Sequence, residues 1–365
     1  MQFISSSAMK DGPVKKRPKI VIVNRYPPFT SIYKWSMDIR NSVPLDSEII
    51  NLIFDRRGWE SDHPGTDFTA IFGKNLLTYM FKSVAFSKAK SYLNRLSKTE
   101  RTIIHYTSQF SGIFGVKEST EIVNIHDSPY FHDNLSSMGK MYMKSLYNSL
   151  RNVEYVITNT NVLKAELIDY GFQGKINTIH SPFEKSFKKL NTPKEVLRES
   201  LKLPLSKKLI LSVSSDSPRK NLLTVNRVLK HLGDRFQLVR VGKELGNSIN
   251  FKNIDDETLN KVYNACDVLL IPSIYEGFGL PIVEAFATGL PVVASNIPTI
   301  SEVSEGAAIL VDPKNIDEIT TAVKHAVDES EMFSSLGLKR AEEFTIDNFL
   351  KRIMALYDNA ISDHQ

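Results

Sequence analysis

EGFGLPIVEAFATGLPVVAS, residues 276–295, is the stretch on which the fold of this chain is read. It follows an apolar run, DVLLIPS (267–273), and carries its own punctuation. Pro281 suits the first position of a helix, where a missing N–H costs nothing, and Gly289 suits the C-terminal stop. The spacing predicts a short helix from Pro281 to Thr288 and a strand at LPVVASN (290–296). Gly277 and Gly279 let the backbone approach a ligand closely. Free N–H groups around Phe278, Gly279 and Leu280, at a helix N-terminus, favour anionic or hydroxyl oxygens.

Outward from this segment the same alternation continues. KKLILSVSS (207–215), FQLVRVG (236–242) and AAILVDP (307–313) read as strands with helical segments between them. A separate set precedes them: KIVIVN (19–24), SEIINLIF (47–54), RTIIHYT (101–107), EIVNIHD (121–127) and EYVITNT (154–160), with helix-like stretches at 74–96 and 138–151. The first of these strands stops at the turn Tyr26-Pro27-Pro28. Short β-branched runs alternating with longer helices predict parallel sheets covered by helices. Residues 181–206 hold three prolines and no strand pattern, which places the domain join there. The expected division is a tail (1–18), an N-terminal Rossmann-like domain (19–185), a second one (186–345) and a C-terminal helix within 346–365. Two such sheets face each other across a cleft, and ligands sit beyond the carboxyl ends of the strands.

Composition narrows the class. The 365 residues are comfortable for two domains. Apolar residues at 42% and charged residues at 24% are an ordinary globular balance. No run approaches the roughly 18 apolar residues of a membrane span, and residues 1–19 lack the apolar stretch of a secretory signal. Cys266 is the single cysteine, so an intrachain disulfide or thiolate metal cluster is excluded, and a cytoplasmic setting fits. Residues 1–185 carry 24 Lys+Arg against 17 Asp+Glu, whereas 186–365 carry 22 against 24. A basic first half suits an anionic partner such as a phospholipid surface (here the inner face of the membrane), a lipid-phosphate substrate or nucleic acid, although a solvated surface explains the same excess. Residues 72–98 are helical in pattern and rich in lysine, which raises weak peripheral membrane contact; Lys74, Lys82, Lys88, Lys90 and Lys98 nevertheless spread around the helix axis.

EGFGLPIVEAFATGLPVVAS resembles the signature of the retaining glycosyltransferase family 4, of the GT-B fold. NIDDETLNKVYNACDVLLIPS (253–273), IPTISEVSEGAAILVDP (297–313), SPRKNLLTV (217–225) and VRVGKE (239–244) extend the likeness. It covers nearly all of 207–330 and the N-terminal half only loosely. The resemblance implies transfer of a hexosyl group from a nucleotide-diphosphate sugar to an acceptor hydroxyl, with retention of configuration. The acceptor would be a glycan, a lipid-linked or a small molecule, and nucleic acid is no partner. It implies that Glu284 holds the ribose hydroxyls and that Glu276 contacts the donor sugar, helped by backbone of Gly277, Phe278, Gly279 and Leu280. Lys220 would neutralise the diphosphate, and the C-terminal helix would cross back to the first domain. By themselves, two glutamates eight apart arise by chance, and Arg219-Lys220 would read as solvated surface.

Two positions depart from the family. It has an arginine five residues before the lysine, where this chain has Ser215; Arg219 is either its substitute or a solvent-facing side chain. The family's glycine-rich turn after the first strand is replaced by Tyr26-Pro27-Pro28-Phe29-Thr30-Ser31. His126 ends an apolar strand, a position that is commonly structural, but its His-Asp pairing with Asp127 matches the family's histidine near the reacting sugar. No Asp-x-Asp motif is present, and Asp255-Asp256-Glu257 reads as a helix start, so neither metal nor other cofactor is expected. A dehydrogenase would need Gly-x-Gly-x-x-Gly, and Ile282 stands where the third glycine belongs. A catalytically silent nucleotide-sugar-binding protein on the same fold is the alternative, because the two departures are those a silent relative would show.

Overall fold

The computed structural model describes residues 18–24, 30–43, 48–53, 66–69, 77–111, 115–130 and 136–364. Most of the N-terminal tail, the Tyr26-Pro27-Pro28 turn and Lys74 lie outside the described residues.

The first sheet contains β1 (Lys19–Asn24), β2 (Glu48–Ile53), β3 (Thr66–Thr69), β4 (Thr102–Tyr106), β5 (Ser119–Ile125), β6 (Tyr155–Thr158) and β7 (Lys175–Thr178). Its order is β3-β2-β1-β4-β5-β6-β7, with every pairing parallel. Helices α1 (Ser31–Ser42), α2 (Leu77–Thr99), α3 (Ser137–Leu150) and α4 (Asn161–Asp169) connect these strands. Both faces are covered, and β1 shows why the central runs are continuously apolar. Val21 and Val23 enter one core with α2, α3 and α4, while Ile20 and Ile22 enter another on the opposite face.

The second sheet contains β8 (Lys208–Val213), β9 (Phe236–Val241), β10 (Ile249–Phe251), β11 (Val268–Ile271), β12 (Val292–Ser295) and β13 (Ile309–Val311). Its order is β10-β9-β8-β11-β12-β13, again parallel throughout. Its helices are α5 (Lys194–Ser200), α6 (Leu222–Leu232), α7 (Asp256–Ala265), α8 (Leu280–Thr288), α9 (Pro298–Ser304), α10 (Ile316–Asp328) and α11 (Ser330–Ala341). The two-sheet α/β architecture expected from the sequence is therefore the one observed. Strands β3, β7 and β10 had no apolar signature, and all three are sheet edges. An edge strand has one unpaired side and less burial, and KINT, with no buried residue, carries little hydrophobic pattern.

The last helix, α12 (Ile346–Ser362), returns to the first sheet. Phe349, Ile353, Leu356 and Tyr357 pack with Ile20, Ile22, Trp35, Ile39 and Ile157. Tyr357 donates its hydroxyl to His105 Nδ1 at 2.7 Å, and His105 Nε2 lies 2.8 Å from Asn124 Oδ1. Burial pushes His105 down to about 4, so the ring is a neutral linker between sheet and helix. The C-terminal helix thus completes the N-terminal core.

Candidate functional site

Ser215, Arg219 and Lys220 follow β8, and a short 3-10 turn, Pro218–Lys220, carries the two cations. Asn221 ends that turn in the left-handed conformation, at φ 53°. Its amide donates to the carbonyls of Pro272 and Pro313, each at 3.0 Å, and so ties the turn to two other strand ends. The tie brings Lys220 Nζ to 2.7 Å from both oxygens of Glu276. Ser273, the last residue of DVLLIPS, donates its hydroxyl to Glu276 Oε1 at 2.7 Å. Glu276 is only 6% exposed, so its charge is stable there because a cation and a hydroxyl satisfy it.

Arg219 is half-buried, with its guanidinium 5.7 Å above the Tyr275 ring. Its carbonyl accepts from Ile274 N at 2.8 Å. Ser215, Arg219 and Lys220 share a cavity of about 650 Å³ with Lys243, Lys252, Asn253 and Pro281. Four cationic side chains around one cavity suit a polyanion. Of the departures from the family, Ser215 therefore lines the cavity, and Arg219 belongs to it as well.

The loop before α8 needs both of its glycines. A Cβ at Gly277 would lie 2.6 Å from the His126 carbonyl, since the two domains touch there. Gly279 adopts φ 94° as the N-cap of α8, a left-handed conformation that other residues rarely adopt. The helix begins at Leu280, one residue earlier than predicted, so Pro281 is its second residue. Phe278 turns its ring into the core against Phe344, at 5.8 Å, so only its backbone can serve a ligand. Leu280 packs against the cores of both domains.

Glu284, one turn into α8, accepts the Tyr263 hydroxyl at 2.6 Å. Burial raises its carboxyl to about 7, partly offset by that hydrogen bond, with Asp256 and Glu184 adding to the rise and Lys34 opposing it. Lys34 belongs to α1 and pairs with Asp256 of α7, so Glu284 lies where the two domains meet. The carboxylate of Glu284 is engaged by Tyr263, while Pro281 represents α8 in the 650 Å³ cavity.

From the first domain, His126 follows β5 at the cleft. Its Nε2 donates to the Thr107 carbonyl at 2.8 Å, which fixes the proton on that nitrogen and leaves Nδ1 as the acceptor. Burial lowers its pKa, so the ring is neutral. Gln109 Oε1 accepts from His126 N at 3.2 Å, Tyr147 donates to the Asp127 carbonyl at 2.6 Å, and Ser128 N donates to Tyr275 Oη at 2.9 Å. Tyr275 therefore joins the two lips of the cleft. Asn221, Ser273, Tyr263 and Tyr275 were not singled out from the sequence. Asn221 alone left a signal there, as an asparagine between a basic turn and an apolar helix start.

Residues 193–341 match the family model of glycosyl transferases group 1. Among curated proteins, the chain is 34% identical over 125 residues to an O-antigen chain mannosyltransferase B of Escherichia coli, which covers 33% of each protein. It is 35% identical over 116 residues to an MMP alpha-(1->4)-mannosyltransferase of Mycolicibacterium hassiacum, 30% of this chain and 28% of that one. The matched stretch thus spans about a third of these relatives. Among solved structures, a sucrose-phosphate synthase from Thermosynechococcus elongatus superposes with a TM-score of 0.76 at 17% identity, covering 94% of this chain and 100% of the other. Anabaena HepE in complex with UDP and glucose gives 0.73 at 16% identity, with coverage of 94% and 100%. These structural likenesses concern the fold.

Proposed function

We propose, for a chain that matches the glycosyl transferases group 1 model through residues 193–341 and has the GT-B fold, that it moves a hexosyl group from a nucleotide-diphosphate sugar to an acceptor hydroxyl with retention of configuration. The observation that carries this reading is the buried Lys220–Glu276 pair, at 2.7 Å, beside a cavity lined by four cations. Departure of a nucleoside diphosphate builds negative charge at the phosphate, and in this reading Lys220 with Arg219 meets it in place of a metal ion. Glu276, released by that contact, accepts donor sugar hydroxyls, and Glu284 accepts those of the ribose. Neutral His126 offers Nδ1 across the cleft, next to Gly277, to position the sugar or the acceptor hydroxyl.

The mannosyltransferase names of the curated relatives make a mannosyl donor the first to test. A glycan or lipid-linked acceptor is the accompanying proposal. The test is a screen of GDP-, UDP- and ADP-sugars for thermal stabilisation, followed by turnover with the donor that stabilises most. Lys220→Ala should lower kcat by on the order of 2–4 kcal/mol of transition-state stabilisation. Chelation should leave turnover unchanged. A protein stabilised by a nucleotide sugar that neither transfers nor hydrolyses it would refute transfer and favour a silent binding protein.

A further inference from the structure

Helices α2 and α3 contain seven basic residues and no Asp or Glu: Lys82, Lys88, Lys90, Arg95 and Lys98 in α2, Lys140 and Lys144 in α3. Both cover the same face of the first sheet, sharing one core through Ala89, Leu93, Met143 and Leu146. The inward side of α3 is accounted for by that core. Its outward side is unusual, because Met138 is 75%, Met141 68% and Tyr142 54% exposed. Spacings of three and four put these side chains on one stripe, with Lys140 and Lys144 beside it and exposed. Tyr130, 53% exposed, lies off this stripe: its ring meets Tyr170 at 5.6 Å, Tyr170 meets the buried Tyr147 of α3 at 5.9 Å, and the Tyr130 hydroxyl donates to Asp169 at 2.6 Å.

We infer that this face of α3 docks on an anionic lipid bilayer, with Met138, Met141 and Tyr142 entering the headgroup boundary, Lys140 and Lys144 supplying the attraction, and the exposed Lys88, Arg95 and Lys98 of α2 adding to it. The stripe is too small for a protein partner, since three side chains offer far less than the ~800 Å² per side of a stable interface. A shallow apolar insertion backed by a field of basic residues is how a peripheral protein holds a membrane. Nucleic acid would satisfy the lysines but not the exposed methionines. The lysine-rich pattern at 72–98 falls on α2, whereas the exposed apolar stripe lies on α3. Docking also has a geometric consequence. Tyr147 of α3 holds the Asp127 carbonyl, so the docked helix is bonded directly to the lip of the cleft. The inference rests on surface geometry and stands independently of which sugar is transferred, or whether any is.

The test is flotation of the full chain with vesicles of roughly 7:3 phosphatidylcholine–phosphatidylglycerol and with phosphatidylcholine alone, at low and high salt. Expected is binding to the anionic vesicles, weakened but not abolished by salt, with little on the neutral ones. Met138→Ser with Met141→Ser and Tyr142→Ser, and separately Lys140→Glu with Lys144→Glu, should each reduce partitioning on the order of tenfold or more. All these positions are exposed, and unchanged melting temperatures would show that the variants are folded. Equal partitioning of wild type and both variants would overturn the inference. So would failure to float with anionic vesicles at low salt, or capture by single-stranded nucleic acid without vesicle binding.

Discussion

Glu284→Gln should stabilise the ligand-free protein at neutral and alkaline pH while weakening its grip on nucleotide. The magnitude follows from the carboxyl being raised from 4.5 to about 7 in the fold, chiefly by burial. The folded state then holds a proton that the unfolded chain has already released, so stability falls as pH rises from about 4.5 to about 7 and is level above. The full shift corresponds to about 3 kcal/mol. Glu284 keeps some solvent contact, and screening reduces the expected loss to about 1–2 kcal/mol. Glutamine removes the titration yet still accepts the Tyr263 hydroxyl through its amide oxygen, so packing is preserved. Urea denaturation of both proteins across this pH range should show equal stability near the acid end and a gap opening in favour of the variant as pH rises. The same variant should lose much of the thermal stabilisation given by nucleotide, because a neutral amide accepts ribose hydroxyls less strongly than a carboxylate. A gap that is constant with pH, or a variant less stable than wild type at alkaline pH, would refute the reasoning.

Three further outcomes are expected. Asn221→Ala removes two hydrogen bonds to Pro272 and Pro313 and places alanine at φ 53°. It should cost about 2–3 kcal/mol in denaturation and lower kcat by displacing Lys220, and wild-type kcat would count against Asn221 as the tie. Gly277→Ala drives a Cβ to 2.6 Å from the His126 carbonyl, so donor turnover should fall on the order of tenfold as the domains are pushed apart; unchanged kcat/KM would show that the contact is not maintained in solution. Tyr357→Phe keeps the ring but leaves His105 Nδ1 buried without its partner, at a cost of about 1–3 kcal/mol. Equal stability of that variant would mean the histidine finds another donor.

Much of the site is local, and local features are legible. Pro281 and Gly289 bracket α8 within one residue of its observed ends, because cap and stop chemistry acts over a few residues. The central strands of both sheets are continuous apolar runs, since each is buried on two faces. The edge strands β7 and β10 were silent because none of their residues is buried, whereas β13, also an edge, buries Val311 and was legible as AAILVDP. Pairings across the chain left no pattern at all. Glu276 and Lys220 are 56 residues apart, and Tyr263 reaches Glu284 over 21.

The sequence alone therefore determined the alternation of strands and helices, the glycine loop at 276–279 and the residue types a donor site would need. Tertiary structure decided that Lys220 and Glu276 form one buried pair, that α12 closes the first core, and that α3 leaves two methionines and a tyrosine outward. The physical reason is range: capping, turns and periodic burial are set by neighbours in the chain. Ion pairs and exposed faces depend on which elements the folded sheets bring together.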